Sequence, residues 1–548
     1  MECSPLLPSP FSAVPVDWTY GYSEGEIMRS FYSYAETTPD RAAVVDPDGT
    51  TTSFGDLAAR VNQLTHLIVA RDLDPGASVC VLLPNGAALL AVQRAVLQQP
   101  LYLTTINWHF AAPEVAHILQ DSDARIVFTT AEYARLVREA CLLAGLPTDR
   151  IVELDRTGGN AEVEAHPLTR PESSAGGSRM LYTSGTTGKP KGVRRPLPAG
   201  GPDAVAAAAV ERAEKYDVNH EGGVYLSVAP MYHAAPLSYA DQALEVGHTV
   251  VILPRWSAVT ALDAIEQYQV TWAYLVPLMM QDMLEVRDSH RVDVSSLRTV
   301  IHTAAPCPPS VKRAMIDWLG PVLNEVYGGT EGSATLITSK EWLARPGSVG
   351  RARAGVRITI RGENGEGLPP GEIGAIYFEN AKTPFEYHNA PEKTKSSRIA
   401  NEITLGDIGY LDDDGYLYLC DRTADTIISG GVNVYPAEIE HALVELPTIR
   451  EACVVGRPDP RWGESVHAVV VTAEPVEDHD SLRAEVETAL RTKIAGYKVP
   501  RTFEFVDELP HSEVGKLLRR VVRERVVAES GFANGGALAS ALGVDGSN

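Results

Sequence analysis

Tyr182-Thr183-Ser184-Gly185-Thr186-Thr187-Gly188-Lys189-Pro190-Lys191-Gly192 is the stretch on which the reading of this chain turns. Gly185 and Gly188 let an anion approach closely spaced backbone N–H groups. Ser184, Thr186 and Thr187 add hydroxyls, and Lys189 and Lys191 add positive charge beside them. The stretch suits phosphate. It is not a Walker A loop, because Lys189 is followed by Pro190 and not by Ser or Thr. Gly- and Thr-rich loops in general form polar hairpin turns. Eleven specified positions in succession argue for more than that here.

Segments rich in Pro, Gly and Ser flank the loop, from Pro167 to Ser178 and from Pro196 to Pro202, and read as surface connections. Further out, strand-like and helix-like stretches alternate. Ala42–Val45 is a short apolar run, and Asp46-Pro-Asp-Gly49 makes a turn. Phe54, Leu57, Val61, Leu64 and Ile68 follow at helical spacing, and Ser78–Leu83 reads as a buried strand. The pattern predicts an α/β architecture of helices on largely parallel sheets. Beyond about residue 421 the texture changes to strands at 452–455 and 466–471 and helices at 436–446 and 481–492. The expected organisation is a large N-terminal domain (1–421), a small α+β domain (422–528) and a loose Ala/Gly/Ser-rich tail (529–548).

Composition narrows the function. At 548 residues two or more domains are expected, and a net charge of −23 argues against a nucleic-acid binder. The same charge repels ATP and other polyphosphates at long range, so a site for them must be locally basic or rich in backbone N–H donors. No apolar run approaches the ~18 residues that span a bilayer. The start, Met1-Glu-Cys-Ser-Pro-Leu-Leu-Pro8, lacks the basic region of a signal peptide, and the C-terminus carries no lipidation or peroxisomal signal. The six cysteines are scattered without a Cys-x-x-Cys pair, which fits a reducing cytoplasm.

The 182–192 string resembles the phosphate loop of the superfamily that contains acyl-CoA synthetases, peptide-synthetase adenylation domains and beetle luciferases. Further matches follow in that family's order. Met231-Tyr232-His233-Ala234-Ala235-Pro236 resembles its aromatic/His motif, and Ala304-Ala305-Pro306 its adenine-pocket strand. Tyr327-Gly328-Gly329-Thr330-Glu331 resembles its Tyr-Gly-x-Thr-Glu motif, and Gly406-Asp407 its ribose-binding aspartate. Asp421-Arg422 and the following 427–436 segment resemble its hinge region, and Gly515-Lys516 its terminal lysine. The resemblance runs from about residue 30 to 525.

The resemblance implies layered α/β sheets with a small β-barrel-like subdomain, plus a mobile small domain. It implies that Thr183 to Lys191 hold the β- and γ-phosphates of ATP, that Glu331 holds Mg²⁺ and that Thr330 touches the α-phosphate. Lys516 would bridge the carboxylate and the α-phosphate. Tyr327 would stack on adenine, next to Ala304, Ala305, Pro306 and Gly328, and Asp407 and Arg422 would fix the ribose. His233, Ala234, Ala235 and Gly329 would line an acyl pocket. Ser429, Gly430 and Gly431, with Trp462, Tyr497 and Lys498, would meet coenzyme A after the small domain turns about a hinge at Ala424. The implied activity is an AMP-forming ligase that converts a hydrophobic acid (fatty, steroid- or terpenoid-type) through acyl-AMP to its CoA thioester.

Taken singly, these residues have plainer readings. Lys516 would be a solvated charge, His233 a semi-buried histidine and Asp407 a turn residue. Cys307 reads as a small hydrophobe, since no base is next to it. Two positions depart from the family. Ala424 replaces the polar hinge residue, and His511 stands where the family has Arg, exchanging a permanent charge near the phosphates for a titrating one. These departures raise an alternative in which the enzyme only transfers an acyl group from an adenylate supplied by a partner enzyme. Loading of a carrier protein is another. The sequence does not determine the oligomeric state, a homodimer included.

Overall fold

The strand Ala42–Val45 turns through Asp46–Gly49, where Gly49 takes φ +84°, and leads to the helix Phe54–Ala70. The Ser53 hydroxyl caps that helix by accepting from the Asp56 N–H, and Phe54, Leu57, Val61, Leu64 and Ile68 are all buried as their spacing predicts. The computed structural model describes residues 30–183, 190–218, 220–380, 384–422, 425–429, 432–512 and 515–530.

Two sheets sandwich the helices of the large domain. One is all parallel, in the order Ile151–Leu154, Ala124–Thr130, Ser78–Leu82, Tyr102–Thr105, Ser178–Arg179. The other has fifteen strands among the described residues. Its first part runs parallel from Ala42–Val45 through Thr249–Ile252, Val224–Ser227, Trp272–Leu275 and Thr299–His302 to Leu323–Gly329. From Gly332–Thr338 onward the pairing becomes antiparallel. The expectation of largely parallel sheets therefore holds for the first sheet and for only six of the fifteen strands of the second. Short connections such as Gly329 to Gly332 permit only antiparallel neighbours.

The helices Ala87–Leu97 and Ala234–Glu245 lie buried between these sheets, joined by charge as well as by apolar packing. Arg94 pairs with Asp241 at 2.8 Å and with Glu245, and Arg179 reaches Asp241 at 2.6 Å.

The sheet of the small domain runs Val432–Val434, Ile427–Ser429, Gly463–Thr472, Ile449–Asp459, with Thr502–Phe505 parallel to Gly463–Thr472. The two predicted strands are thus longer than their apolar cores, because their pairing continues into a polar hairpin at Asp459–Gly463. The helices Pro436–Val444, His479–Lys493 and Arg519–Glu529 cover it. The last of these reaches one residue into the segment read as tail, and 531–548 lie outside the described residues. Asp421 joins the domains physically. Its carboxylate accepts from the Arg422 N–H at 2.6 Å and from the Ala437 N–H at 2.9 Å, at the start of the first small-domain helix.

Beneath the strand Leu323–Gly329, the buried Lys312 ammonium stands 2.5 Å from Glu325. Removing one member of a buried pair strands the other. Lys312→Met is expected to lower the large domain's stability by about 3–5 kcal/mol, and adding Glu325→Leu to restore most of it, as read by urea unfolding.

Candidate active site

Three parallel strands, Val224–Ser227, Thr299–His302 and Leu323–Gly329, end at the same edge of the sheet, and the loops that follow them carry three of the motifs. Such carboxyl edges are where open α/β sheets bind ligands. After the first strand, Asn85 fixes the path to His233. Its side chain donates to the Ala229 carbonyl at 3.0 Å and accepts from the Met231 N–H at 2.8 Å. Tyr232 is clamped by Thr105, which donates to its carbonyl, and by the edge of Trp108 at 4.5 Å. His233 is the N-cap residue of the helix Ala234–Glu245. Ala234 and Ala235 are partly buried against the core.

After the second strand, Ala304 adopts φ +78°, a left-handed conformation that costs a residue with a β-carbon about 1–3 kcal/mol. It lies in the segment assigned to adenine, and Ala304 and Pro306 are exposed there. Burial pushes the thiol of the adjacent Cys307 up, in keeping with a packing role.

After the third strand, the chain folds back so tightly that a β-carbon on Gly328 would lie 2.5 Å from Ser333 Cα, and one on Gly329 2.8 Å from Glu331 Oε2. Both glycines are needed for the Glu331 carboxylate to stand where it does. The Tyr387 hydroxyl donates to Glu331 Oε1 at 2.6 Å, and Arg195 donates to the Thr330 carbonyl at 2.6 Å. The Tyr327 ring is buried, and its hydroxyl donates to Asp407 Oδ2 at 2.7 Å. Asp407 Oδ1 faces Arg422 Nε at 3.2 Å, since the two residues are register partners on adjacent strands.

Lys516 comes from the small domain. Ser512 and Lys516 close a tight turn (Ser512 N–H to Lys516 carbonyl, 2.8 Å) in which Gly515 takes φ +67°. That glycine lies against Val276 and Leu278, so the turn docks at the start of the helix Pro277–Val286 of the large domain. The Lys516 ammonium is drawn down to about 8 by burial and then by Arg422, while Asp407 and Asp425 oppose the shift. His233 is pulled down to about 4 by burial and then by the Lys516 charge, so it is neutral at physiological pH. Lys516 thus stands within electrostatic reach of both the acyl-side histidine and the Asp407–Arg422 pair.

Residues 31–386 match the model of the AMP-binding enzyme family, and 438–516 match that of the AMP-binding enzyme C-terminal domain. The chain belongs to the AMP-binding enzymes. It is an AMP-forming acid–thiol ligase of mixed α/β fold. The chain is 32% identical over 509 residues to the fatty acid–[acyl-carrier-protein] ligase ScoC of Streptomyces coeruleorubidus, covering 91% of this chain and 96% of that one. It is 34% identical over 488 residues to a feruloyl-CoA synthase of an Amycolatopsis species, covering 88% and 96%. Among solved structures it resembles the amide bond synthetase McbA of Marinactinospora thermotolerans, with a TM-score of 0.78, 28% identity and coverage of 90% and 99%.

In this AMP-binding enzyme the remaining expected site residues fall into two groups. Ser184, Gly185, Thr186, Thr187, Gly188 and Lys189, like Ala424, Gly430 and Gly431, lie outside the described residues. The ends of the phosphate loop are described. Thr183 and Lys191 are paired across a hairpin, Tyr182 donates to Asp121 at 2.6 Å, and His117 donates to the Pro190 carbonyl at 3.2 Å. Ser429 and Trp462 meet on one edge of the small domain, because Ser429 pairs with Gly463. The Trp462 ring is flanked by the guanidinium groups of Arg461 at 5.0 Å and Arg501 at 4.6 Å. Tyr497 is 57% exposed, and Lys498 is held by Glu438 at 2.6 Å. The ring of His511 contacts the Leu509 carbonyl at 2.9 Å and Glu451 at 3.4 Å, with Asp282 of the large domain nearby.

With the Lys516 ammonium near 8, its charge fades as pH rises through that value. The rate of adenylation, read as kcat/KM in acid-dependent pyrophosphate release, is expected to fall above about pH 8. Arg422→Met, which removes a repelling cation, should move that basic limb to higher pH even as it lowers the maximum.

Proposed function

We propose that this chain activates a hydrophobic carboxylic acid as acyl-AMP, with Lys516 in the position described here, and then passes the acyl group to the thiol of coenzyme A. The approach of Lys516 to His233, Asp407 and Arg422 carries the reading, because it sets a cation from the small domain among the residues assigned to acid and ribose. In the first step a carboxylate oxygen attacks the α-phosphorus and the bond to the β-phosphate breaks, releasing pyrophosphate. Two anions must meet for this, and a preorganised cation between them lowers the barrier. In the second step the CoA sulfur attacks the acyl carbon and AMP leaves.

Magnesium fits the donors present. Among the described residues no group of three or more His, Cys, Asp or Glu side chains forms a metal cage. Glu331 offers a single carboxylate with one oxygen engaged by Tyr387. Mg²⁺ takes one or two carboxylates and fills its other positions with phosphate oxygens and water. When bound it neutralises charge on the β- and γ-phosphates. Tyr387 orients the carboxylate, and the Asp407–Arg422 pair, braced by Tyr327, presents oxygen and nitrogen to ribose hydroxyls.

A hydrophobic acid is supported by the Trp108–Tyr232 aromatic wall, the neutral His233 and the small Ala234 and Ala235 beside it. Two rival acceptors come from the relatives: a carrier-protein thiol from ScoC, and an amine from McbA. The edge bearing Ser429 and Trp462 serves CoA once the small domain has turned about the 423–425 segment. We assign the reaction to the cytoplasm, where ATP and CoA are supplied; no helix among the described residues is long and apolar enough to cross a membrane.

Lys516→Ala is expected to slow acid-dependent pyrophosphate release by about 10²–10³. The same variant should still convert a synthetic acyl-adenylate and CoA to thioester within a few-fold of wild type. Retention of pyrophosphate release by the variant would sink the assignment of Lys516. Parallel assays with holo-carrier protein and with amines identify the acceptor.

A further inference from the structure

Next to the strand Lys191–Arg194 lies a cavity of about 410 Å³ with Arg194, Lys395 and Arg398 in its wall, together with Tyr387, His388 and Glu386. Three cations face one carboxylate there, in a chain whose net charge is −23. Among the described residues none of the three cations is within ion-pairing distance of an acid, whereas nearby arginines are engaged. Arg353 donates to Ser333, Arg357 to Glu379 and Arg361 to Glu402. The Arg194 guanidinium instead lies over the Tyr102 ring at 4.7 Å, and that of Arg398 over Phe385 at 5.1 Å. Arg398 Nε is shielded from solvent and has no hydrogen-bond partner. Half-buried guanidinium groups that outnumber the one carboxylate near them are costly unless an anion joins them.

The position of the cavity narrows the choice of anion. Arg194 ends the strand Lys191–Arg194, which leaves the phosphate loop and pairs with Glu386–Tyr387 across the cavity rim. Tyr387 lines the cavity and also hydrogen-bonds Glu331 at 2.6 Å, so one side chain separates the cavity from the carboxylate assigned to Mg²⁺. We propose that this cavity is a second anion site, for a diphosphate, which receives the pyrophosphate set free in adenylation. The proposal rests on the adenylating reading above for the source of its ligand. The diphosphate of CoA has the same chemistry and is the other source.

The test is calorimetry on the full chain, saturated with α,β-methylene-ATP so that the phosphate loop is filled, and titrated with inorganic pyrophosphate or with desulfo-CoA. One further pyrophosphate site is expected in the wild type. It should weaken about tenfold in Arg398→Gln and in Arg194→Gln and survive in Arg398→Lys, with melting temperatures unchanged. Weaker product inhibition by pyrophosphate should accompany these substitutions, while turnover in the presence of pyrophosphatase is unaltered. Binding of desulfo-CoA in place of pyrophosphate, with the same dependence on Arg194 and Arg398, would assign the diphosphate to CoA. Absence of a further site for either probe, or a site indifferent to both arginines, overturns the proposal. Calorimetric binding does not depend on turnover, so a failure to adenylate any acid would be seen separately.

Discussion

The Lys516 ammonium is largely buried, within reach of the Arg422 cation, and is carried by a domain other than the one that supplies His233 and Asp407. That arrangement is electrostatically unfavourable in the absence of substrate, as the downward pull of burial and of Arg422 on its proton shows. Incoming carboxylate and phosphate charge would relieve it. A group whose charge is disfavoured in the resting site, and favoured once two anions arrive, interacts more strongly with the reacting state than with the free enzyme, and catalysis requires that difference.

Holding Lys516 there falls to the domain interface. Gly515 fits against Val276 and Leu278 because it has no side chain and can take φ +67°. Alongside it, Gln281 donates to the Arg450 carbonyl at 3.0 Å, and Asp282 shares its neighbourhood with Arg450 and His511. Among the described residues the Lys516 turn is thus held to the large domain by one apolar contact and by polar ones. The Asp421 link differs in kind. Its two hydrogen bonds, to Arg422 and to the first turn of the helix Pro436–Val444, join the strand end to the small domain across the 423–425 segment.

Local pattern made much of the large domain readable: the helix Phe54–Ala70 from apolar spacing, the buried strand at Ser78 from an unbroken apolar run, and the motifs from their residue types in order. Contacts between distant positions were not readable. Tyr387 and Glu331 are 56 residues apart, and Arg195 and Thr330 135, with no pattern that announces either pair. The first depends on the Glu386–Tyr387 strand pairing with Lys191–Arg194, which is a tertiary event. The place of His511 beside Glu451 is likewise a tertiary contact that no local pattern announces.

Charge economy connects these features. With 71 acidic and 48 basic side chains, many arginines of this chain stand beside a carboxylate. Arg94, Arg179, Arg361 and Arg519 all have one, and their role is to tie helices and strands together. Lys516, shifted by burial, and Arg194, Lys395 and Arg398, which lack acidic partners among the described residues, lie around the motifs assigned to ATP. A net negative charge repels polyphosphates at long range, so a site for them depends on local cations and backbone N–H donors.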